Sequence, residues 1–159
     1  MENTASCNTD LTKKGKYNFE ITTTQLCNMR CTYCFENIGG FLEDKRNLND
    51  YIPGIIDKAN KMLEHDEFKK KYDGINFVFW GGESSMNMKM IRALVDEFAP
   101  KENCSFFMYS NGYSMDTLYN YLSELKQKYA SITKRYQIQF SYDGKELHDQ
   151  NRFGVNGEL

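Results

Sequence analysis

Four short apolar segments alternate with stretches of helical periodicity, and this alternation limits the fold more than any other feature of the sequence. The apolar segments predict strands at residues 17–24, 75–80, 104–109 and 136–142. Between them, apolar residues recur at the three- and four-residue spacing of amphipathic helices. Parallel strands need a crossover of a dozen or more residues, usually a helix, whereas antiparallel strands can be joined by a tight turn. The sequence therefore predicts an α/β fold with a parallel β-sheet built from βα repeats.

The predicted helices fill the three intervals between these strands. The first covers residues 48–72, the second ends near Pro100, and the third begins at Ser114, a residue suited to the N-cap. Residues 1–15 are polar and show no periodicity, so we interpret them as an N-terminal arm. Residues 16–159 then form a single domain, and its last part, after the fourth strand, is predicted to be a polar loop.

A set of polar or ligand-type residues follows each predicted strand. The carboxyl ends of parallel strands meet at one edge of a sheet, and ligands bind there. This convergence predicts a functional site at that edge. The four sets are Cys27, Cys31 and Cys34; Gly81, Gly82 and Glu83; Ser110, Asn111 and Gly112; and Ser141 with Asp143.

The three cysteines of the first set fall within eight residues and are separated by polar residues, which indicates a ligand loop rather than buried core. Three thiolates suit a [4Fe–4S] cluster with one iron left open, and an amino acid could chelate that iron through its amine and carboxylate. The alternative is a zinc-binding module, which needs a fourth ligand. The candidates for that ligand are Cys7, Cys104, His65 and His148.

The pattern Cys27-x-x-x-Cys31-x-x-Cys34, with Tyr33 before the last cysteine, resembles the signature of the radical S-adenosylmethionine enzymes. The resemblance implies that the three cysteines bind three irons of a [4Fe–4S] cluster. The amino and carboxylate groups of S-adenosylmethionine would chelate the fourth iron. In this family the reduced cluster cleaves S-adenosylmethionine, and the resulting 5′-deoxyadenosyl radical abstracts a hydrogen atom from the substrate.

The same resemblance assigns further residues to the cofactor. Gly81-Gly82-Glu83 resembles the family's Gly-Gly-Glu motif, which binds the methionine ammonium, although Ser84 stands where proline is usual. A tight turn with a capping glutamate is the structural alternative. Tyr33 would lie near the adenine, unless it is simply a packed tyrosine. Ser141 resembles a residue that contacts the cofactor's carboxylate or ribose, and Arg152 could pair with that carboxylate or be a surface charge. Asn111 and Asp143 are the other implied contacts, although Asn111 could instead shape its loop and Asp143 could instead form a turn.

The resemblance extends over residues 17–153 and implies a four-strand portion of a partial (βα)6 TIM-like barrel, apparently truncated after the fourth strand. Residues 148–152 resemble a segment of peptide- and protein-modifying members, including the anaerobic sulfatase-maturase-like group. The expected partners are a peptide or protein substrate, an external electron donor such as flavodoxin or ferredoxin, and a homo- or hetero-oligomer that completes the barrel. The alternative is a truncated or non-catalytic cluster-binding partner that needs a second chain.

Charge and composition exclude several other classes. Twenty basic and twenty-two acidic residues give a net charge of −2, so no basic field indicates a nucleic-acid partner. No apolar run approaches the roughly 18 residues of a membrane span. The cysteine count is five, and an odd number with three crowded into one loop does not suggest disulfides. We therefore expect a reducing compartment and a cytoplasmic protein.

Overall fold

A computed structural model of the protein describes residues 14–39 and 46–157, and a four-stranded parallel sheet forms its centre. The strands are β1 (Tyr17–Thr24), β2 (Ile75–Gly81), β3 (Cys104–Ser110) and β4 (Tyr136–Phe140), and they lie in the order β1-β2-β3-β4. Each strand is thus added beside the preceding one, as in a portion of a βα barrel. This confirms the predicted parallel sheet. Nearly all of the predicted N-terminal arm, with Cys7, lies outside the described residues.

Six α-helices accompany the strands in the described part of the chain. They are α1 (Phe35–Ile38), α2 (Ile52–Glu64), α3 (Asp66–Lys71), α4 (Met88–Phe98), α5 (Met115–Lys128) and α6 (Lys145–Asn151). Among these helices, none is long and apolar enough to cross a bilayer.

The single helix predicted over residues 48–72 is wrong, because the segment is divided into three pieces. A 3-10 turn over Leu48–Tyr51 precedes α2, and His65 separates α2 from α3. The backbone of His65 is extended, with φ −72° and ψ 127°. Asp66 and Glu67 then lie in the first turn of α3, where acidic side chains favour a helix start. The apolar periodicity of α2 ends at Leu63, because Asp66 and Glu67 stand at the next two positions of the apolar stripe. This interruption was the available signal for the break.

The structure also differs from the prediction after residue 136, where a strand over residues 136–142 and then a polar loop were expected. Strand β4 ends at Phe140, two residues before the predicted end, and α6 follows. Gly144 precedes α6 with φ +81°, in the region that favours glycine. Lys145 and Asp149 then form an i,i+4 ion pair of 2.7 Å along the helix. No side chain of α6 is buried, so the helix has no apolar stripe for a sequence pattern to show.

The hydrophobic core lies on one face of the sheet, against α2, α4 and α5. Alternate residues of the strands point to it, and Phe77 of β2 stacks on Phe106 of β3 with ring centroids 5.7 Å apart. The residues in between point to the opposite face. That face therefore carries a different set of side chains, which includes Glu20, Val78 and Tyr109.

Candidate functional site

The cysteine loop, residues 25–34, connects β1 to α1 at the carboxyl edge of the sheet. All three of its cysteines are free thiols; Cys31 is buried, and Cys27 and Cys34 are half-buried. Burial raises the pKa of the Cys27 thiol. Burial also raises the pKa of Cys31, although the nearby Arg152 guanidinium partly offsets the effect. A cation bound by these sulfurs would stabilise their thiolate forms.

Gly81 and Gly82 allow the end of β2 to approach the start of the cysteine loop. A Cβ atom on Gly81 would lie 2.0 Å from the carbonyl oxygen of Thr24, and one on Gly82 would lie 2.3 Å from that of Leu26. The amide of Gly82 donates to Thr24 O at 3.0 Å, and the amide of Glu83 donates to Leu26 O at 2.8 Å. The glycine pair is therefore required for the contact between the first two sequence motifs.

The carboxylate of Glu83 is buried and joins the ends of β2 and β3. Its Oε1 accepts hydrogen bonds from the Ser85 amide at 3.0 Å and the Ser110 hydroxyl at 2.9 Å. Its Oε2 accepts from the Asn111 amide at 2.6 Å. The glutamate cap that the sequence offered as the structural alternative is thus present, because the Glu83 side chain accepts from the Ser85 amide. The hydrogen bonds from Ser110 and Asn111 also link Glu83 to the third motif, and the sequence did not indicate this link.

Asn111 connects the third motif to the cysteine loop. Its side-chain Nδ2 donates to Asn28 Oδ1 at 2.8 Å and lies 3.7 Å from Cys27 Sγ. Its Oδ1 accepts from the Tyr113 amide at 2.9 Å. Asn111 therefore shapes the loop around Cys27 and keeps one donor close to that sulfur.

Arg152, Asp143 and Tyr33 form a second set of contacts on the other side of the loop. Arg152 is only 9% exposed, so it is not a surface charge. Its Nε donates to Asp143 Oδ2 at 2.7 Å, and the same oxygen accepts from the Tyr33 hydroxyl. The Arg152 guanidinium also lies 5.3 Å from the centre of the Tyr33 ring, and its Nη1 lies 3.9 Å from Cys31 Sγ.

These contacts perturb the acidities of the two groups that share the Asp143 oxygen. Hydrogen bonds from Arg152 and then Tyr33 lower the pKa of Asp143 below its usual range. Desolvation and the bond to Asp143 raise the pKa of Tyr33 to about 12. The Asp143 carboxylate and the Tyr33 hydroxyl are therefore held in their charged and neutral forms over the physiological range.

The segment after α6 runs back along the cysteine loop, a feature that no sequence pattern indicated. Met29 and Gly154 form an antiparallel bridge. The Arg30 amide donates to Phe153 O at 2.8 Å, and the Val155 amide donates to Asn28 O at 3.2 Å. Backbone hydrogen bonds thus hold the loop to a segment more than a hundred residues later in the sequence.

A cavity of about 260 Å³ brings together all of the residues that the resemblance assigned to the cluster and the cofactor, except Asp143. Asp143 contacts the site through Arg152 and Tyr33 instead. The predicted residues that line this cavity are Cys27, Cys31, Tyr33, Cys34, Gly81, Gly82, Glu83, Asn111, Ser141 and Arg152.

A neighbouring cavity of about 310 Å³ continues onto the face of the sheet opposite the core. The residues that line both cavities are Cys27, Cys34, Phe35, Gly81, Gly82 and Tyr109. Sequence reasoning missed this second cavity. Trp80 is 37% exposed and lines the second cavity. The two-residue alternation along β1 and β3, which places Glu20 and Tyr109 on this face, was the available signal.

The donor set fits a [4Fe–4S] cluster, because three free thiols line one cavity. Within residues 14–39 and 46–157, no group of three or more His, Cys, Asp or Glu side chains is arranged to hold one metal ion. Cys104 lies at the start of β3, at the opposite end of the sheet from the cysteine loop. The structure therefore gives no support to a zinc site that recruits Cys104. In a cluster each thiolate binds a different iron, so three separated sulfurs around one cavity are suitable ligands.

Comparison with known proteins agrees with this arrangement. The model of the Radical SAM superfamily matches residues 21–140. No curated protein sequence matches the chain. Two similar solved structures are hexahistidine-tagged anSMEcpe with bound AdoMet (18% identity, TM-score 0.58) and native anSMEcpe with bound AdoMet and the Cp18Cys peptide (19% identity, TM-score 0.56).

Each of these two comparisons covers 89% of this chain, which spans only 37% and 36% of the anSMEcpe chains. At this level of identity the likeness supports the fold, a four-stranded part of a partial TIM-like barrel. The superfamily match rests on the sequence itself and covers well over half of the 159 residues. It includes three of the four sets of residues that follow the strands, from the cysteine loop to Ser110–Gly112. The chain therefore belongs to the radical SAM superfamily.

Proposed function

We propose that this chain binds a [4Fe–4S] cluster through Cys27, Cys31 and Cys34 and generates the 5′-deoxyadenosyl radical from S-adenosylmethionine. The superfamily uses these two cofactors. The observation that carries the proposal is that the three cysteines line one cavity with Gly81, Gly82 and Glu83 of the second motif. When bound and reduced, the cluster supplies the electron that cleaves the carbon–sulfur bond of S-adenosylmethionine.

The residues of the first cavity have distinct proposed roles. The carbonyl oxygens beside the glycine pair and the buried Glu83 carboxylate offer acceptors to the methionine ammonium. Arg152 supplies a positive charge beside Cys31, suited to a carboxylate or to a thiolate-bound cluster. Tyr33 and Ser141 line the same cavity and are proposed contacts for the adenosyl part of the cofactor.

Asp143 and Asn111 are proposed to act mainly through neighbouring groups. Asp143 holds Arg152 and Tyr33 by hydrogen bonds and does not line the cavity. Asn111 holds Asn28 and faces Cys27 Sγ at 3.7 Å. Both residues thus position the cysteine loop, which must keep its shape while the cofactors bind.

The substrate and partners belong to the same proposal. We propose a peptide or protein substrate, on the resemblance of residues 148–152 to peptide-modifying members, and an external electron donor such as flavodoxin or ferredoxin. A reducing, cytoplasmic setting fits the free thiols of Cys27, Cys31, Cys34 and Cys104. The proposed domain is the radical SAM core over residues 16–159.

A second candidate function is that of a cluster-binding partner that does not turn over alone. The observation in its favour is that β1 and β4 are the edge strands of the described sheet, and an edge strand can pair with a strand of another chain. Such a protein would need another chain, in a homo- or hetero-oligomer, to complete the barrel. Formation of 5′-deoxyadenosine by reduced, cluster-loaded protein distinguishes the two functions, since only the enzyme produces it alone.

Anaerobic reconstitution with iron and sulfide tests cluster binding. We expect about four irons per chain and an absorption spectrum of a [4Fe–4S] cluster. Cys31→Ala should lose most of this iron, whereas Cys104→Ala, which removes a buried thiol at the far end of the sheet, should retain it. Full cluster content in Cys31→Ala, or zinc in place of iron in anaerobically purified protein, would overturn the proposal.

A further inference from the structure

The second cavity, defined above by its 310 Å³ volume beside Cys27 and Cys34, has an acidic lining. Two carboxylates line it, Glu20 from β1 and Glu36 from α1. None of the described residues that line it is basic. The cavity therefore presents negative charge next to the cysteine loop, and a cationic group is the complementary occupant.

Glu36 is the less usual of the two acids, because it is buried. Glu36 is only 7% exposed, and its Oε2 has no hydrogen-bond partner among the described residues. A buried carboxylate without a partner is costly, since desolvation is not compensated by a hydrogen bond. An ammonium or guanidinium group in the cavity would supply both the charge and the donor that Glu36 lacks.

Glu20 is also without a protein partner. Within the described residues it makes no hydrogen bond or ion pair through its side chain, and the neighbouring strand places only Val78 opposite it. It is exposed, so it is free to meet a ligand that enters from solvent. Glu20 and Glu36 can therefore both bind one incoming cation without first breaking an ion pair of the protein.

The remaining walls suit the stem of a cationic side chain. Trp80 and Tyr109 line the cavity and are 37% and 46% exposed, and Val78 lies on the same face of the sheet. Aromatic faces attract ammonium and guanidinium groups and also cover an aliphatic chain. Carboxylates combined with exposed aromatic rings favour a lysine- or arginine-like group over a neutral apolar one.

We propose that the second cavity is a substrate subsite that binds an ammonium or guanidinium group, held by Glu20 and Glu36 between Trp80 and Tyr109. This inference rests on the proposed function, because the cavity is a substrate subsite only if the cysteine loop carries the cluster. Binding of the cation would place the neighbouring part of the substrate against Cys27 and Cys34, where the first cavity adjoins the second. The substrate class is thus a peptide or small molecule with a basic side chain.

Isothermal titration calorimetry on the anaerobically reconstituted chain tests the inference with two matched probes. The probes are N-acetyl-lysine amide and N-acetyl-norleucine amide, which differ in the presence of the ammonium group. We expect the lysine probe to bind at least about tenfold more tightly than the norleucine probe. A charge-assisted hydrogen bond accounts for this ratio, because tenfold in affinity corresponds to about 1.4 kcal/mol. Glu20→Gln and Glu36→Gln should each reduce this ratio, and Glu64→Gln, a substitution on the exposed surface of α2, should leave it unchanged.

Two outcomes contradict the inference while leaving the proposed function intact. The first is equal affinity for the two probes, or an unchanged ratio in both Glu20→Gln and Glu36→Gln. The second is competitive displacement of the lysine probe by S-adenosylmethionine, which would assign the two carboxylates to the cofactor instead. The cluster spectrum, recorded on the same samples, reports the proposed function separately. Glu20 is exposed, so its substitution tests the cavity even where Glu36→Gln fails to fold.

Discussion

Arg152 Nη1 lies 3.9 Å from Cys31 Sγ, although 121 positions separate the two residues in the sequence. This contact joins the segment after α6 to the middle of the cysteine loop. The backbone hydrogen bond from the Arg30 amide to Phe153 O supports the same association. The last described part of the chain is therefore a component of the cysteine site, and its charge acts directly on one of the three sulfurs.

Replacement of Arg152 by Met should lower the reduction potential of the bound cluster. Reduction adds a negative charge to the cluster, and the nearby guanidinium stabilises that charge. Potentiometric titration followed by electron paramagnetic resonance measures the shift. Lys145→Met removes the same charge from the exposed surface of α6 and should change the potential much less. Equal shifts in the two variants would show that Arg152 acts only through net charge.

Replacement of Asp143 by Asn should destabilise the chain in a pH-dependent way. The pKa of Asp143 is lowered in the folded protein by Arg152 and Tyr33, so the ionised carboxylate stabilises the fold above its usual pKa of 3.8. That stabilisation is lost as the pH falls through the lowered folded value. Thermal unfolding should therefore show a lower Tm for Asp143→Asn than for the wild type at pH 7. This difference in Tm should narrow below pH 3.8.

Asp149→Asn is the matched control for that experiment, because Asp149 pairs with Lys145 on the exposed surface of α6. Exposed ion pairs contribute little to stability, so the control should change Tm only slightly at either pH. A difference between wild type and Asp143→Asn that stays constant down to pH 2 would contradict the predicted linkage.

Gly82→Ala should destabilise the protein by about 1–3 kcal/mol, the usual cost of overpacking. The added Cβ would lie 2.3 Å from the carbonyl oxygen of Leu26, which belongs to the backbone and cannot move freely. Gly54→Ala, in α2, meets nothing within 4 Å outside its own helix and should stabilise by about 0.5–1 kcal/mol. Urea unfolding of both variants measures the contrast, and a neutral Gly82→Ala would show that the two loops need not approach so closely.

Glu83→Gln should cost about 1.5–3 kcal/mol of stability, the range for a hydrogen bond to a charged group. The amide oxygen can replace only one of the two carboxylate oxygens, so the bonds from Ser110 and Asn111 cannot both be kept. Glu124→Gln is the control, since Glu124 pairs with Arg92 on the surface. Equal losses of unfolding free energy in Glu83→Gln and Glu124→Gln, measured in urea, would show that the burial of Glu83 adds nothing to its contribution to stability.

Much of this site was predictable because each motif directly follows a strand. The four strands are clear short apolar segments, and parallel strands place their carboxyl ends together, so Cys27, Glu83 and Asn111 were expected at one edge. The partners of these side chains were not predictable. Glu83 bonds to Ser110 and Asn111 only because β2 and β3 are adjacent in a particular register.

The contacts of the last segment could not be predicted for a different reason. Helix α6 buries no side chain, so its sequence shows no helical stripe. The bridge between Met29 and Gly154 depends on backbone groups, which carry no sequence signal. Trp80 ends a mostly apolar run in the sequence, and the alternation along β2 puts it on the face opposite Phe79.

The most direct test of the central claim is electron–nuclear double resonance on the reduced, reconstituted protein with S-adenosylmethionine labelled with ¹⁵N at its amino group. If Cys27, Cys31 and Cys34 bind three irons and leave the fourth to the cofactor, the labelled nitrogen should show a hyperfine coupling that indicates direct bonding to iron. A cluster that forms with about four irons but shows no coupling to the labelled nitrogen would contradict the account.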